Sequence, residues 1–195
     1  MYMCKNIRLT LLVLLLILLV PTEKVFSQIG AGIKLGGNLS HADGLSFRSA
    51  NRIGFQVGGI LSYHFRPNMA IQVEPTYNVT RVRTNAETVD QVNGIAKGNK
   101  ALQFFDFPVL FKLDLTSNFA LLGGLEFNKL LNEDKYLLNN GEEAFNRGFR
   151  MGYTFGLELG KLYFRYRSVE RKTGVYHNWN TSISQYQIGV KWNLF

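Results

Sequence analysis

From residue 28 onward, apolar side chains alternate with polar or small ones through eight separate segments. No other feature restricts the fold as much, because a period of two belongs to a β-strand whose two faces meet different surroundings. In the first segment Ile29, Ala31, Ile33, Leu35 and Leu39 oppose Gly30, Gly32, Lys34, Gly36 and Asn38. In the sixth, Phe149, Met151, Tyr153, Phe155, Leu157 and Leu159 oppose Arg150, Gly152, Thr154, Gly156, Glu158 and Gly160. Segments of about ten residues, tilted near 40°, rise roughly 25 Å, the apolar thickness of an outer membrane. The connections alternate as well. Arg66-Pro67-Asn68, Thr116-Ser117-Asn118 and Gly160-Lys161 are tight, whereas 41–51, 81–100, 131–147 and 168–182 are longer and polar. Short periplasmic turns and long external loops are the pattern of outer-membrane barrels. The expected fold is therefore all-β, an eight-stranded antiparallel up-and-down transmembrane β-barrel. Its location is the cell outer membrane, with both termini in the periplasm.

Alternation does not say which face points inward. A soluble barrel buries its apolar register; a membrane barrel turns it to lipid. Here the polar register carries Gly30, Gly32, Gly36, Gly54, Gly58, Gly124, Gly152, Gly156 and Gly189. Glycine weakens a solvated strand, but it suits the crowded interior of a narrow barrel. The apolar register is aromatic, and Tyr63, Phe65, Phe119, Tyr166, Tyr186 and Trp192 are the expected membrane-interface residues. The inward charges are then Lys34, Glu74, Asp106, Lys112, Glu126, Arg150, Glu158, Arg165, Arg167 and Lys191. Buried charges must be paired, and an eight-stranded lumen is only wide enough for side chains. A mutually neutralising lumen network is expected, not an open pore.

The first 27 residues read as a cleavable signal peptide. Lys5 and Arg8 precede an apolar run of 12 residues, Leu9 to Val20, which is too short to span a bilayer. The expected cut lies between Ser27 and Gln28, leaving the barrel domain at 28–195. Cys4 is the only cysteine and precedes that run, so the mature chain has no disulfide and no thiolate metal site. The chain carries a net charge of +8; without Lys5, Arg8, Glu23 and Lys24 the balance is +6. An exported protein meets anionic lipid headgroups rather than nucleic acid.

The sequence offers little chemistry. His41, His64 and His177 show no zinc-ligand spacing, so no metal and no cofactor is expected. Ser62 and His64 share one strand face, the only hint of a hydrolase. Gly30-Ala31-Gly32 lacks the spacing and following helix of a nucleotide loop. The long loops hold Glu133, Asp134, Lys135, Tyr136, Glu142 and Glu143, and Glu170, Arg171, Lys172, Tyr176, His177 and Trp179. Tyrosine and tryptophan among charges suit protein contact.

Three strands also resemble a known family. Phe105-Asp106-Phe107-Pro108-Val109-Leu110-Phe111-Lys112, Val73-Glu74-Pro75-Thr76-Tyr77 and Ile33-Lys34-Leu35-Gly36-Gly37-Asn38 resemble strands of the PorT-like outer-membrane β-barrel family of Bacteroidetes-type bacteria. The Phe26-Ser27-Gln28 cut fits the same group. One departure is the terminal Phe195, out of phase with Trp192 unless a bulge intervenes. The resemblance implies a barrel with no catalytic motif, and some family members are linked to a secretion apparatus. A non-enzymatic structural or partner-contacting protein is expected, with outer-membrane lipid, the barrel-assembly machinery and a secretion-complex protein as candidate partners. An adhesion barrel acting through its loops and an outer-membrane lipid hydrolase stay open as alternatives.

Overall fold

The computed structural model describes residues 28–44, 51–84, 98–132, 135, 137, 139, 141, 148–172 and 180–194. Its strands are β1 (Ile29–Gly44), β2 (Arg52–Arg66), β3 (Met69–Val73), β4 (Thr76–Thr84), β5 (Gly98–Thr116), β6 (Phe119–Leu130), β7 (Phe149–Leu159), β8 (Leu162–Lys172) and β9 (Asn180–Asn193). All neighbouring pairs are antiparallel. β1 pairs with both β2 and β9, which closes the sheet on itself.

Nine strands occupy eight positions in the ring. The expected third strand is split at Glu74-Pro75 into β3 and β4, and both halves pair with β2 on one side and β5 on the other. Pro75 has no N–H to give to a ladder, so pairing lapses there and resumes at Thr76. The break is bridged by backbone bonds from Gly59 N to Pro75 O (2.9 Å) and from Glu74 N to Pro108 O (3.1 Å).

The register fixes the barrel's shape. Partners followed once round the ring run Ala31, Leu61, Val73, Val109, Leu125, Tyr153, Ser168, Ser184 and back to β1 at His41. The return point lies ten residues beyond Ala31, a shear of ten over eight positions. Ordinary strand spacings then give a tilt of roughly 40°, the usual slope of membrane barrels.

The apolar register faces outward. Ile33, Leu35, Phe55, Leu61, Phe107, Phe111, Leu125, Phe155 and Ile188 are all exposed, while the alternate residues are buried. From Phe149 to Leu159 this belt rises about 25 Å. Bare hydrocarbon of this extent on a closed barrel is a lipid surface. Near the tight turns Tyr63, Phe65 and Trp192 are exposed and Phe119 is half-buried. Phe65 packs its ring against Phe111 at 6.3 Å. At the opposite boundary Tyr166 packs on Tyr186 at 5.2 Å and on Phe155 at 5.1 Å. The next outward residues there are Ser168 and Ser184, and Tyr166 Oη bonds Ser184 Oγ at 3.3 Å.

Strands run farther at the long-loop end than the alternation suggested. β1 extends to Gly44, β4 to Thr84 and β8 to Lys172, while β5 begins at Gly98 and β9 at Asn180. Parts of the expected loops 41–51, 81–100 and 168–182 are therefore strand. The outer register there has turned polar, with Arg81, Arg83 and Asn99 exposed, so no apolar rhythm marked it. The end of β9 stays in phase. Its ladder with β1 runs without a bulge to Asn193, and Trp192 faces outward opposite Ile33. Phe195, the expected signal peptide up to Ser27 and the loop residues Glu133, Asp134, Tyr136, Glu142, Glu143, Tyr176, His177 and Trp179 lie outside the described residues. Gln28 is described, and its carbonyl accepts from His64 N at 2.7 Å.

Candidate functional site: the filled lumen and its rim

The lumen is layered, and charge fills its middle. In the layer nearer the tight turns Arg165 lies between two carboxylates, with Nη2 3.1 Å from Glu74 Oε1 and 2.8 Å from Glu158 Oε1. Lys34 reaches Glu74 at 2.5 Å, Lys191 pairs with Glu158, and Lys112 bridges Asp114 (3.1 Å) and Glu158 (3.7 Å). Lys34 and Lys191 stand opposite one another in the β1–β9 ladder. Such a like-charge pair is unfavourable by itself, and each lysine is turned to its own glutamate. Gln72 Nε2 bonds both Glu74 (2.6 Å) and Glu158 (3.2 Å), tying the two anions together.

A second charged layer centres on Arg167. Its Nη2 is 2.8 Å from Asp106 Oδ1 and 2.5 Å from Glu126 Oε1, and its Nη1 donates to Gln185 Oε1 at 3.2 Å. Asn78 Nδ2 donates to Asp106 (2.8 Å) and to Gln185 (2.9 Å). Across both layers Lys34, Lys112, Arg165, Arg167 and Lys191 face Glu74, Asp106, Asp114, Glu126 and Glu158, five charges of each sign. The two layers are thus balanced in formal charge and densely bonded, the condition under which buried ions are tolerated. Arg150 stands apart. Among the described residues no ion pair ties it to these layers, and its Nε has no hydrogen-bond partner.

Glycines make the room. Gly156 lies opposite Arg165 in the ladder, and a Cβ there would meet Arg165 Cδ at 2.9 Å and the Phe164 carbonyl closer still. Tyr163, Gly189, Gly36 and Gln56 form one row across β8, β9, β1 and β2. The Tyr163 side chain lies over both glycines and its hydroxyl meets Gln56 Nε2 at 3.0 Å. Lys34 Nζ and the Arg165 guanidinium each sit 5.6 Å from the Tyr163 ring centre, within reach of a cation–π attraction. Tyr163→Phe leaves the Gln56 amide without its buried partner. It is expected to cost about 1–3 kcal/mol in a urea titration of the micelle-folded chain. A loss below a few tenths would mean water replaces the hydroxyl.

Apolar clusters lie beside the charged layers. Toward the long loops Ala42, Val82, Leu102, Phe104, Leu130 and Ile183 form a buried cluster, and Arg167 lies 5.5 Å from the Phe104 ring. Leu110, Ala120 and Leu122 form a smaller one. Between the charged layers, among Lys34, Glu74, Asp106, Glu126 and Arg165, about 10 Å³ of free space remains. That volume holds one water at most.

Several of these groups were not read from the sequence as site residues: Gln56, Gln72, Asn78, Asp114, Tyr163 and Gln185. All but Asp114 are uncharged, and only their inward phase marks them. Ser62 and His64 make separate contacts: Ser62 Oγ donates to Gly30 O at 3.4 Å, while His64 faces Asp114 at 3.9 Å. No group of metal-ligating side chains occurs among the described residues.

A closed antiparallel ring with a lipid-facing belt and a charge-paired, packed interior defines an integral outer-membrane β-barrel. The chain belongs to the outer membrane protein beta-barrel domain family, whose model matches residues 22–195. Ail, the attachment invasion locus protein of Yersinia pestis, is similar in structure at 12% identity and a TM-score of 0.45, over 85% of this chain and 99% of that one. OprG from Pseudomonas aeruginosa gives 12% and 0.45, over 85% and 95%. Neisserial surface protein A gives 11% and 0.41, over 83% and 97%. No curated protein matches the sequence.

Proposed function

We propose that this protein is a non-enzymatic outer-membrane scaffold that contacts partners at its surface and passes nothing through its lumen. The observation that carries the reading is the interior itself. Five cations and five carboxylates are mutually paired, about 10 Å³ is left between them, and an apolar layer lies above. Function then falls to the rim and the belt, where loops on a rigid scaffold ordinarily carry it. The PorT-like character of the Phe105–Lys112 and Val73–Tyr77 strands favours an envelope complex, such as a secretion apparatus, as the partner. Export by a signal peptide cut after Ser27, insertion by the barrel-assembly machinery and periplasmic termini complete the reading.

Mild crosslinking in intact cells, followed by purification through the barrel, tests it. A reproducible set of envelope proteins supports the scaffold; recovery of the barrel alone defeats it. In planar bilayers the purified protein is expected to show no large, stable conductance. Steady channels would overturn the closed-lumen claim. Adhesion is favoured instead if loop truncation abolishes surface attachment while the barrel stays folded, and the β4–β5 hairpin that continues beyond the apolar belt is the segment to truncate first.

A further inference from the structure

The barrel wall has a split at its long-loop end. The β1–β2 ladder continues to Arg52 and the β4–β5 ladder to Thr84, but the β2–β4 ladder stops at Phe55–Val79. Below that point the wall is sealed from inside. Asn38 reaches past the side-chain-free Gly54, donating to Val79 O at 3.2 Å and to Asn78 Oδ1 at 2.9 Å. Above it the two strands flank a notch of about 480 Å³, lined by Arg52, Arg81, Lys100, Asn51 and Asn99. No carboxylate lines it among the described residues. Arg52 Nε is buried without a hydrogen-bond partner. Such an unsatisfied, desolvated donor is costly unless an acceptor completes it.

The notch leads nowhere. Val82 lines it and also belongs to the buried apolar layer that caps the charged lumen. It is therefore a blind recess rather than a passage. Its height says what it meets. Ile53, 72% exposed, forms its lower lip, and the outward rings of Phe55 and Tyr77 lie next below, 6.5 Å apart. The apolar belt thus ends at the notch and cationic groups begin there. An amphiphile standing in the outer leaflet with an anionic headgroup places its charge at this level.

We propose that the notch binds the phosphate of an outer-leaflet glycolipid. Arg52 and Arg81 serve as donors, and Ile53, Phe55 and Tyr77 seat the acyl chains. Guanidinium forks match phosphate oxygens in pairs, and the lipid's own insertion holds the headgroup at the right height. The site goes beyond the scaffold role and rests only on that reading's placement of the long loops on the outer side.

The test uses the full chain folded in uncharged detergent micelles, with native mass spectrometry as readout. The probes are a diphosphorylated diglucosamine lipid, its dephosphorylated counterpart, and inorganic pyrophosphate. The expected result is retention of the phosphorylated lipid at least about tenfold tighter than either other probe. The double variant R52Q/R81Q is expected to lose about tenfold or more of that affinity, while K129Q, on an outer-facing β6 position away from the notch, keeps it. Heat-modifiable gel migration checks that each variant is folded. R81K serves if the double variant is not, with a smaller loss expected because an ammonium lacks the paired fork. Equal binding of the two lipids, or unchanged binding by folded R52Q/R81Q or R81K, overturns the proposal. Pyrophosphate binding as tightly as the lipid also overturns it and makes the occupant a soluble anion.

Discussion

Arg167→Met is expected to destabilise the barrel by about 3–5 kcal/mol, the largest single effect in the lumen. The guanidinium is the cation that touches both Asp106 and Glu126, and it is almost fully buried. Methionine fills similar volume but leaves two carboxylates facing one another in a desolvated layer. Removing one partner of a buried pair costs far more than the pair contributes, because the remaining charge has lost its hydration. The triple variant R167M/D106N/E126Q removes the charge together with its counter-charges and is expected to recover most of the loss. Arg167→Lys keeps the charge but loses the planar fork that serves Asp106, Glu126 and Gln185 at once, so an intermediate loss is expected. Urea unfolding of the micelle-folded chain, followed by tryptophan fluorescence, measures all three. A change below about 1 kcal/mol for Arg167→Met would mean that water enters the layer and screens the pair.

Two neighbouring glycines are expected to respond in opposite ways. Gly124 faces inward, and a Cβ there would stand 3.0 Å from Leu110 Cα and closer still to the Val109 carbonyl. Backbone cannot yield as a side chain tip can, so Gly124→Ala must push β5 and β6 apart. The expected cost is about 3 kcal/mol or outright failure to fold. Gly123 faces outward, where the nearest atom to an added Cβ is Phe155 Cβ at 3.8 Å. Gly123→Ala is expected to be neutral or to stabilise by about 0.5–1 kcal/mol through reduced freedom of the unfolded chain. Folded yield by heat-modifiable migration and the urea midpoint distinguish the two. Similar behaviour of both variants would defeat the assignment of the polar register to the crowded face.

That contrast shows how much of the barrel was legible beforehand. Glycines on one register implied a concave face, and the structure supplies the reason: on the inside of a tightly coiled sheet, a Cβ aims at the neighbouring strand's backbone. Gly58, opposite Lys34, has Pro75 O 2.5 Å from where its Cβ would stand; Gly32 has Trp192 O at 2.7 Å. Outward Gly37 and Gly59 meet nothing closer than 3.7 Å. The tight turns at 67–68, 117–118 and 160–161 were equally legible, since each interrupts an alternation on both sides. Strand ends at the rim were not. Beyond the belt the outer register at Arg81, Arg83 and Asn99 is polar, so the contrast between faces fades while the ladder continues. The six-residue apolar layer was missed for the same reason, because Ala42, Val82 and Ile183 fall in or beside segments that read as loops.

The alternation, read together with the glycines of its polar register, therefore determined the ring, its lipid-facing side and all but Asp114 of the paired inward charges. Those properties depend on the period of a single strand, and a period is local. Tertiary structure alone decided the shear of ten, and with it which inward residues share a height. Only then does Lys34 find Glu74 rather than its ladder neighbour Lys191, and Arg167 stand between Asp106 and Glu126. It also decided where β2 and β4 part to leave the notch at Arg52, Arg81 and Lys100. Each of these depends on the relative offset of strands distant in the chain, and that offset is set by closing the whole ring at once.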